Sequence, residues 1–402
     1  MILTIITFLI VLSILVLVHE AGHFLLAKKA GIKVEEFGFG YPPRIVAKKI
    51  GETIYSLNLL PFGGFVRLFG EELGESERAR ERAFVPSSGR GESKRAFWAK
   101  SKKDRTSVIV AGVLANFLLA IVVFSLVYSF SGIPTKTDKV IIIGIAPDSP
   151  AQNAGIKEQD IVLFVSGEKI QDTSSFVELT KKYTGKEMAL EIAREKDNPC
   201  KEKVLGAWPG LEISCHGENM VLSIIPRENP PEGEGPLGVA VSNMEMKRYP
   251  FWQMPFRGTI EGFKEAFGWI ILIFGALGKM LVDLISRGTI PKDIAGPVGI
   301  FQITGVVAQG GVLNVLQFIG ILSVNLAVIN ILPFPALDGG RFIFVAYEAI
   351  TRRRPRPIFE RWFNTAGMAF LLFLIILVTI NDIRRVIETT DLLSRFRGIL
   401  PF

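Results

Sequence analysis

The chain has 402 residues, enough for more than one structural unit, and 49% of them are apolar. Its mean hydropathy of +0.36 is high for a soluble protein and predicts a membrane protein that carries a soluble insert. The net charge of +7 does not indicate nucleic-acid binding, because the basic residues cluster beside apolar segments, where they set membrane orientation.

The first apolar run, residues 2–27, is long enough to cross a bilayer as a helix, and it contains the sequence His19-Glu20-Ala21-Gly22-His23. Histidines four residues apart share one helix face, so both can bind one metal ion, with Glu20 beside them as proton acceptor. Such a short pattern also occurs by chance, but ionisable groups inside a membrane segment are costly and mark function. The lysines that follow predict a cytoplasmic end for this helix and an extracytoplasmic N-terminus.

Residues 28–106 are predicted to form a cytoplasmic or membrane-reentrant β-hairpin followed by a basic loop. Glycines and prolines in residues 38–43 are expected to interrupt regular structure in the first part of this region. Residues 54–59 have the composition of a strand. An apolar stretch containing Gly63 and Gly64 follows. Two interpretations remain open: an ordinary cytoplasmic hairpin, or a hairpin at membrane depth whose exposed edge pairs with an extended substrate.

Residues 107–130 are predicted to form the second span. Gly112 and Asn116 interrupt its apolar surface, and we expect them to serve helix packing rather than catalysis. Residues 131–243 follow as an α+β insert, which this topology places outside the cytoplasm.

The insert resembles a PDZ domain in residues 146–170, whose core reads S-P-A-x-x-A-G-I-K-x-x-D-I-V. The later sequence P-L-G-V resembles the carboxylate-binding loop of that family. The resemblance implies that Leu237 and Gly238 bind peptide C-termini, and the alternative is a steric filter without a tight ligand. Cys200 and Cys215 predict a disulfide in an oxidising exterior, with two free thiols as the alternative.

Residues 244–311 are predicted to be an interfacial amphipathic region, because aromatic and basic residues are mixed near its start. Residues 266–286 are apolar enough for a further span, but Lys279 and Asp283 favour a helix lying on the membrane surface. Residues 312–341 are predicted to contain the third span, which ends in N-I-L-P-F-P-A-L-D-G, and residues 342–363 a basic cytoplasmic loop. Residues 364–381 are predicted to form the fourth span, and residues 382–402 an extracytoplasmic tail.

A catalytic zinc site uses three protein ligands and one open position. His216, the last of the three histidines, lies across the membrane from the motif by this topology, so the third ligand must be Asp, Glu or Cys. Asp338 lies at the cytoplasmic end of its span, at the depth predicted for His23. The prolines before Asp338 are expected to place it on irregular backbone. Its Asp-Gly-Gly context also fits a turn aspartate, but the agreement in depth favours a metal ligand.

Together these motifs resemble the site-2 protease family of intramembrane zinc proteases, peptidase family M50, and within it the bacterial regulator-of-sigma-E protease group. The resemblance implies one zinc ion per chain, held by His19, His23 and Asp338, with Glu20 as the general base. It implies substrate binding at Asn330, Gly63 and Gly64. Two departures are Val113, where proline is common, and Arg341, where histidine is frequent.

The same resemblance implies transmembrane substrates, such as anti-sigma factors or signal-peptide remnants. It implies a location in the bacterial inner membrane, with both termini and the PDZ insert outside the cytoplasm. The predicted partners are these substrates, peptide C-termini and the lipid bilayer, without nucleic acid.

The predicted fold is a polytopic α-helical membrane protein with four transmembrane helices, a membrane-associated β-hairpin and an α+β PDZ insert. One alternative function is a non-enzymatic PDZ-containing membrane scaffold with a structural metal, in which Glu20→Gln would change nothing. A metal transporter is a second alternative, but transporters carry repeats of spans, and the sequence shows no such repeat.

Overall fold

The computed structural model describes residues 1–71, 93–194, 213–216, 218–231, 233–287, 296–353 and 355–389. The chain forms two compact units. The first contains Met1–Phe130 and the chain from Phe251 onward, and the second is the insert Ser131–Pro250. The insert therefore ends at Pro250 rather than at the predicted residue 243. Cys200 lies outside the described residues, so the disulfide stays a prediction.

The described helices are α1 (Ile2–Lys29), α2 (Lys102–Ser131), α3 (Pro150–Asn153), α4 (Thr173–Lys182), α5 (Met254–Arg287), α6 (Pro297–Gln309), α7 (Val312–Ile331), α8 (Asp338–Thr351) and α9 (Pro357–Thr389). The described strands are β1 (Val34–Ile50), β2 (Thr53–Leu68), β3 (Ile133–Ile145), β4 (Ile161–Val165), β5 (Glu168–Lys169), β6 (Met188–Ala193), β7 (Ile213–His216), β8 (Asn219–Ile224) and β9 (Val239–Lys247).

Of the described helices, five are long and apolar enough to cross a membrane: α1, α2, α5, α7 and α9. The additional candidate is α5, for which the sequence predicts a surface-lying helix. Its first half packs along α2, because a Cβ atom at Gly258 or Gly262 would collide with the backbone of Ser125. Small residues let two helix backbones approach this closely, so the first half of α5 is held against the helix bundle.

The α5 contact continues through buried apolar side chains. Ala266 and Ile273 of α5 share a cluster with Phe124 of α2 and Val324 of α7. Gly258 approaches Ser129 and the later Gly262 approaches the earlier Ser125, so the two helices run antiparallel here. These contacts hold the face of α5 that carries Ala266 and Ile273 against α2 and α7.

Strands β1 and β2 form an antiparallel hairpin, and β1 is continuous across residues 38–43, where the sequence predicts an interruption. The two prolines of this stretch fall at a shift in register between Tyr41 and Arg44. A bulged position needs no ladder hydrogen bond from proline, which explains why the strand continues.

The second half of β2 lines one edge of this small sheet. Residues 63–68 fold back onto the start of β1, so Phe39 pairs with both Leu57 and Gly64. Within the described part of the chain, no other strand pairs with the outer edge of residues 63–68. That edge presents backbone N–H and C=O groups that can pair with an added strand.

The hairpin turn is tied to the end of α1 by charge. Glu52 Oε1 accepts hydrogen bonds from Arg95 Nη2 and Lys28 Nζ, each at 2.7 Å. These two donors, Arg95 first, lower the pKa of Glu52 to about 2. These bonds connect the hairpin turn to the C-terminal end of α1 and to the segment before α2.

Helix α8 occupies part of the predicted basic loop 342–363, which is therefore shorter than expected. Arg105 Nη1 of α2 donates to Glu348 Oε2 of α8 at 2.7 Å, and Lys102 Nζ donates to the Glu348 carbonyl at 2.9 Å. Burial of this ion pair holds α8 against α2. Helix α9 likewise extends beyond the predicted span 364–381 at both ends.

Helix α6 begins at the sequence Gly296-Pro297-Val298-Gly299 and is capped from another helix. The buried carboxylate of Asp382 in α9 accepts hydrogen bonds from the backbone N–H groups of Gly296 and Gly299, at 3.2 and 2.9 Å. The first N–H groups of a helix have no partner within it, so this carboxylate satisfies two of them.

We expect Asp382→Ala to destabilise the protein, because it leaves two backbone N–H groups without acceptors at about 1–3 kcal/mol each. The measurement is the thermal unfolding midpoint in detergent, which should fall by at least about 2 °C. Thr379→Ala on the same helix is the control, since the Thr379 hydroxyl only donates to the Ile375 carbonyl. Equal midpoints for Asp382→Ala and wild type would show that the cap contributes no net stability.

The insert is built on one antiparallel sheet in the order β7-β8-β6-β4-β3-β9, with β5 paired to β4. Asp172 caps α4 by accepting a hydrogen bond from the Ser175 N–H, and α4 packs near β9. The apolar faces of these elements form a single buried cluster in which Leu190, Leu222 and Leu237 are among the most buried residues. Arg194 donates to both oxygens of the buried Asp160, at 2.6 Å each.

Candidate active site

The two histidines of α1 lie side by side on one helical face, as their spacing predicts. The Nε2 atoms of His19 and His23 are 3.2 Å apart, and the two rings meet edge to face. Helix α2 crosses α1 very closely here. A Cβ atom at Gly22 would lie 2.8 Å from the Ala111 carbonyl carbon, so the crossing requires glycine.

The third side chain of the site comes from far along the chain. Asp338 is the first residue of α8, and its Oδ2 atom lies 3.3 Å from His19 Nε2 and 3.3 Å from His23 Nε2. The sequence predicts irregular backbone at this position, but the two glycines that follow Asp338 start the helix immediately. A Cβ atom at Gly339 or Gly340 would collide with the carbonyls of the preceding loop, so only glycine allows this tight reversal.

The three donor atoms fit one zinc ion. Their separations are 3.2, 3.3 and 3.3 Å. Ligands about 2.0–2.1 Å from a tetrahedral zinc lie about 3.3–3.4 Å from one another. Asp338 Oδ2 is also buried without a hydrogen-bond partner, as a carboxylate oxygen reserved for a cation would be. Among the described residues, no other group of three His, Cys, Asp or Glu ligands is assembled in this way.

Helix α2 supplies the groups behind the two imidazole rings. His23 Nδ1 lies 2.8 Å from the Val108 carbonyl, which can only accept, so Nδ1 carries the proton and Nε2 presents its lone pair to the site. His19 Nδ1 lies 3.4 Å from the Asn116 side-chain amide. A Cβ atom at Gly112 would lie 2.6 Å from His19 Cε1 and would collide with His23 Nε2.

A cavity of about 400 Å³ opens in front of the three ligands. Glu20 and Asn330, two of the sequence-predicted site residues, line it together with Gly63 and Gly64 of β2. The structure thus brings together seven of the nine predicted site residues. The other two belong to the insert: Leu237 is buried in its core, and Gly238 has a left-handed φ of +70°.

Some residues of the site were not predicted from the sequence. Arg341 and Glu71 both line the cavity, and Arg341 Nη1 donates to Glu71 Oε1 at 2.5 Å. Arg341 stands out in the sequence only as a departure from the family pattern. Val108 carries no signal at all, because it contributes a backbone carbonyl.

The sequence of this chain matches a known protein family over most of its length. The profile of peptidase family M50 matches residues 7–374. The chain belongs to peptidase family M50.

Full-length M50 relatives carry zinc protease names. A Clostridium perfringens protein named as a candidate zinc metalloprotease is 34% identical, over 93% of this chain and 97% of its own length. The zinc metalloprotease RasP of Geobacillus kaustophilus is 30% identical, over 95% and 98% of the two chains. The regulator of sigma-W protease RasP of Bacillus subtilis is 28% identical, again over 95% and 98%.

This M50 chain is therefore a zinc metalloprotease, as the motifs predict. Its several long apolar helices make it a multi-pass membrane protein with a β-containing insert, suited to proteolysis within the membrane. A non-enzymatic scaffold is not favoured by this membership.

Proposed function

We propose that His19, His23 and Asp338 bind the catalytic zinc ion and that Glu20 is the general base for peptide hydrolysis. The observation that carries this proposal is the triangle of donor atoms with edges of 3.2–3.3 Å, which opens onto the same cavity as Glu20. Three protein ligands leave one position open, which distinguishes a catalytic zinc site from a structural one.

When bound, zinc supplies a Lewis acid that polarises the scissile carbonyl and makes water more acidic. Glu20 takes a proton from the attacking water as the water oxygen adds to the carbonyl carbon. Glu20 then returns that proton to the amide nitrogen as the C–N bond breaks. The Asn330 side chain lines the same cavity, where its NH2 group can donate to the substrate carbonyl oxygen as negative charge develops.

The proposed substrate is a transmembrane segment that unwinds at the cleaved bond. A helix uses its backbone carbonyls in internal hydrogen bonds, so the reacting stretch must become extended. The open edge of residues 63–68 can replace those bonds by strand addition. This edge passes close to the base, since a Cβ atom at Gly64 would lie 3.1 Å from Glu20 Cγ. Gly63 and Gly64 therefore act through their backbones.

The insert is proposed to be a PDZ domain that receives peptide C-termini. Strand β9 lies at the end of the sheet beside α4, which supports binding of an extended peptide between them. The loop before β9 contains Leu237 and Gly238. The Gly238 N–H already donates to the Gly235 carbonyl at 2.9 Å, so the neighbouring amides would have to bind a carboxylate.

The proposed location is the bacterial inner membrane, with α1, α2, α7 and α9 as the four predicted spans. Basic residues after α1 and after α8 support a cytoplasmic position for those ends, and hence extracytoplasmic termini and insert. One relative is named as a regulator of sigma-W protease, which supports membrane-bound regulators such as anti-sigma factors as substrates. Signal-peptide remnants are the second substrate class.

The zinc content of detergent-purified protein tests the ligand set. We expect about one zinc per chain in wild type and less than about one-tenth of that in Asp338→Ala, because two histidines alone do not complete the site. Asp104→Ala is the matched control, since Asp104 bonds only locally with Ser101 at the exposed start of α2. Full zinc retention in Asp338→Ala would exclude Asp338 as a ligand.

A further inference from the structure

Asn116 is a buried polar residue in the apolar helix α2 to which the proposed mechanism assigns no role. It is 0% exposed, and its Oδ1 atom has no hydrogen-bond partner. A buried amide oxygen without a partner is costly, above all inside a membrane segment. The side chain nevertheless faces a specific neighbour, because its Nδ2 atom lies 3.4 Å from His19 Nδ1.

The protonation of the His19 ring determines which kind of group it needs beside Nδ1. His19 Nε2 faces His23 and Asp338, so a metal-binding His19 carries its proton on Nδ1. That Nδ1–H group needs an acceptor, which an amide NH2 cannot be. The two ends of a carboxamide have nearly the same shape, so half a turn of the Asn116 amide places Oδ1 opposite Nδ1–H. The same rotation gives the unpartnered oxygen its hydrogen bond.

The arrangement around His23 provides an internal precedent. Its Nδ1 faces the Val108 carbonyl of the same helix α2 at 2.8 Å. Helix α2 thus places a polar group behind each imidazole, and glycine at position 112 between them lets the helix approach both rings.

We infer that Asn116 is a positioning residue for the metal site: its amide oxygen accepts the His19 Nδ1–H and thereby sets the tautomer and ring orientation of His19. The inference rests on the proposed zinc ligands. Partners of this kind orient metal-binding histidines, and their loss typically costs 10–100-fold in metal affinity.

The test compares Asn116→Leu, which has a similar size and no acceptor, with Asn116→Asp, which keeps an acceptor oxygen. Full-length proteins in detergent are titrated with Zn²⁺ against a chelator, and the visible absorption of the Co²⁺-loaded proteins reports ligand geometry. We expect a 10–100-fold weaker zinc affinity and an altered Co²⁺ spectrum for Asn116→Leu. Asn116→Asp should restore both toward wild type. Asn116→Ala replaces Asn116→Leu if the larger side chain prevents folding.

Ser323→Ala is the matched control, since it removes the bond to the Asn116 backbone and leaves the side-chain amide in place. Its zinc affinity should equal that of wild type. Wild-type affinity and spectrum in Asn116→Leu or Asn116→Ala would overturn the inference, as would an Asn116→Asp variant as weak as Asn116→Leu. A wild-type protein that binds no zinc would instead overturn the proposed ligand set, and this inference with it.

Discussion

Replacing Glu20 with glutamine is expected to abolish peptide hydrolysis while leaving the zinc site loaded. Glutamine keeps the size and shape of the side chain but cannot accept the proton of the attacking water. General-base catalysis contributes about 10²–10⁴-fold, so the cleavage rate should fall by at least about 100-fold. The measurement is the cleavage rate of a single-span reporter protein in detergent, with zinc content determined on the same samples.

Glu52→Gln is the matched control for Glu20→Gln. Glu52 lies at the hairpin turn, bonded to Lys28 and Arg95, and is not among the residues that line the cavity. The control should cleave the reporter at nearly the wild-type rate. A Glu20→Gln protein with full zinc content and wild-type activity would exclude Glu20 as the base. Loss of zinc together with activity would show instead that Glu20 supports the metal site.

The second large effect is expected at Gly112, where a single methyl group should displace both imidazoles. A Cβ atom at this position would lie 2.6 Å from His19 Cε1 and would collide with His23 Nε2. Neither ring can retreat freely, because Val108 holds His23 from behind and α1 holds both. We expect Gly112→Ala to weaken zinc binding by about 10-fold or more, and to cost about 1–3 kcal/mol of stability through overpacking.

The control for this variant is Gly275→Ala in α5, where an added Cβ atom meets no neighbour within 4 Å. Alanine favours a helix by about 1 kcal/mol over glycine, so this control should be neutral or slightly more stable. Gly112→Ala gains the same helix preference, so a net loss must come from the contact with the rings. Unchanged zinc affinity in Gly112→Ala would mean that the two helices separate at no cost.

The proposed metal ligands are the part of the site that the sequence predicts best. His19 and His23 are one helical turn apart, so local geometry alone puts them on one face. Asp338 follows from the cost of ionisable groups at membrane depth and from the need for a third ligand. The helix that carries the two histidines was also predictable, because a long apolar run has few alternatives to a helix in lipid.

The surroundings of the ligands were less predictable, because they depend on contacts between distant segments. The carbonyl that orients His23 is 85 residues away in the chain, and the Asn116 amide beside His19 is 97 residues away. The sequence marks Gly112 and Asn116 only as interruptions of an apolar helix, for which packing is the simplest interpretation. Their relation to the imidazoles depends on where α1 and α2 cross.

Strand β1 and helix α5 show the same limit in secondary structure. Glycine and proline in residues 38–43 predict a break, but a register shift absorbs the prolines and the strand continues. Lys279 and Asp283 favour a surface-lying α5, whereas Gly258 and Gly262 fit its first half closely against α2. In β1, pairing with β2 outweighs the local preference of proline, and in α5 the close contact with α2 has no counterpart in the local charge pattern.

The proposed chemistry of this protein is encoded locally, in a helical pair of histidines, an adjacent glutamate and one aspartate between prolines and glycines. These residues can be predicted from the four-residue spacing of the histidines and from the cost of placing ionisable groups in a membrane. The architecture that makes the site usable is encoded non-locally. Close helix crossings at glycine, the α2 groups behind each imidazole and the open strand edge beside Glu20 arise only when distant segments pack together.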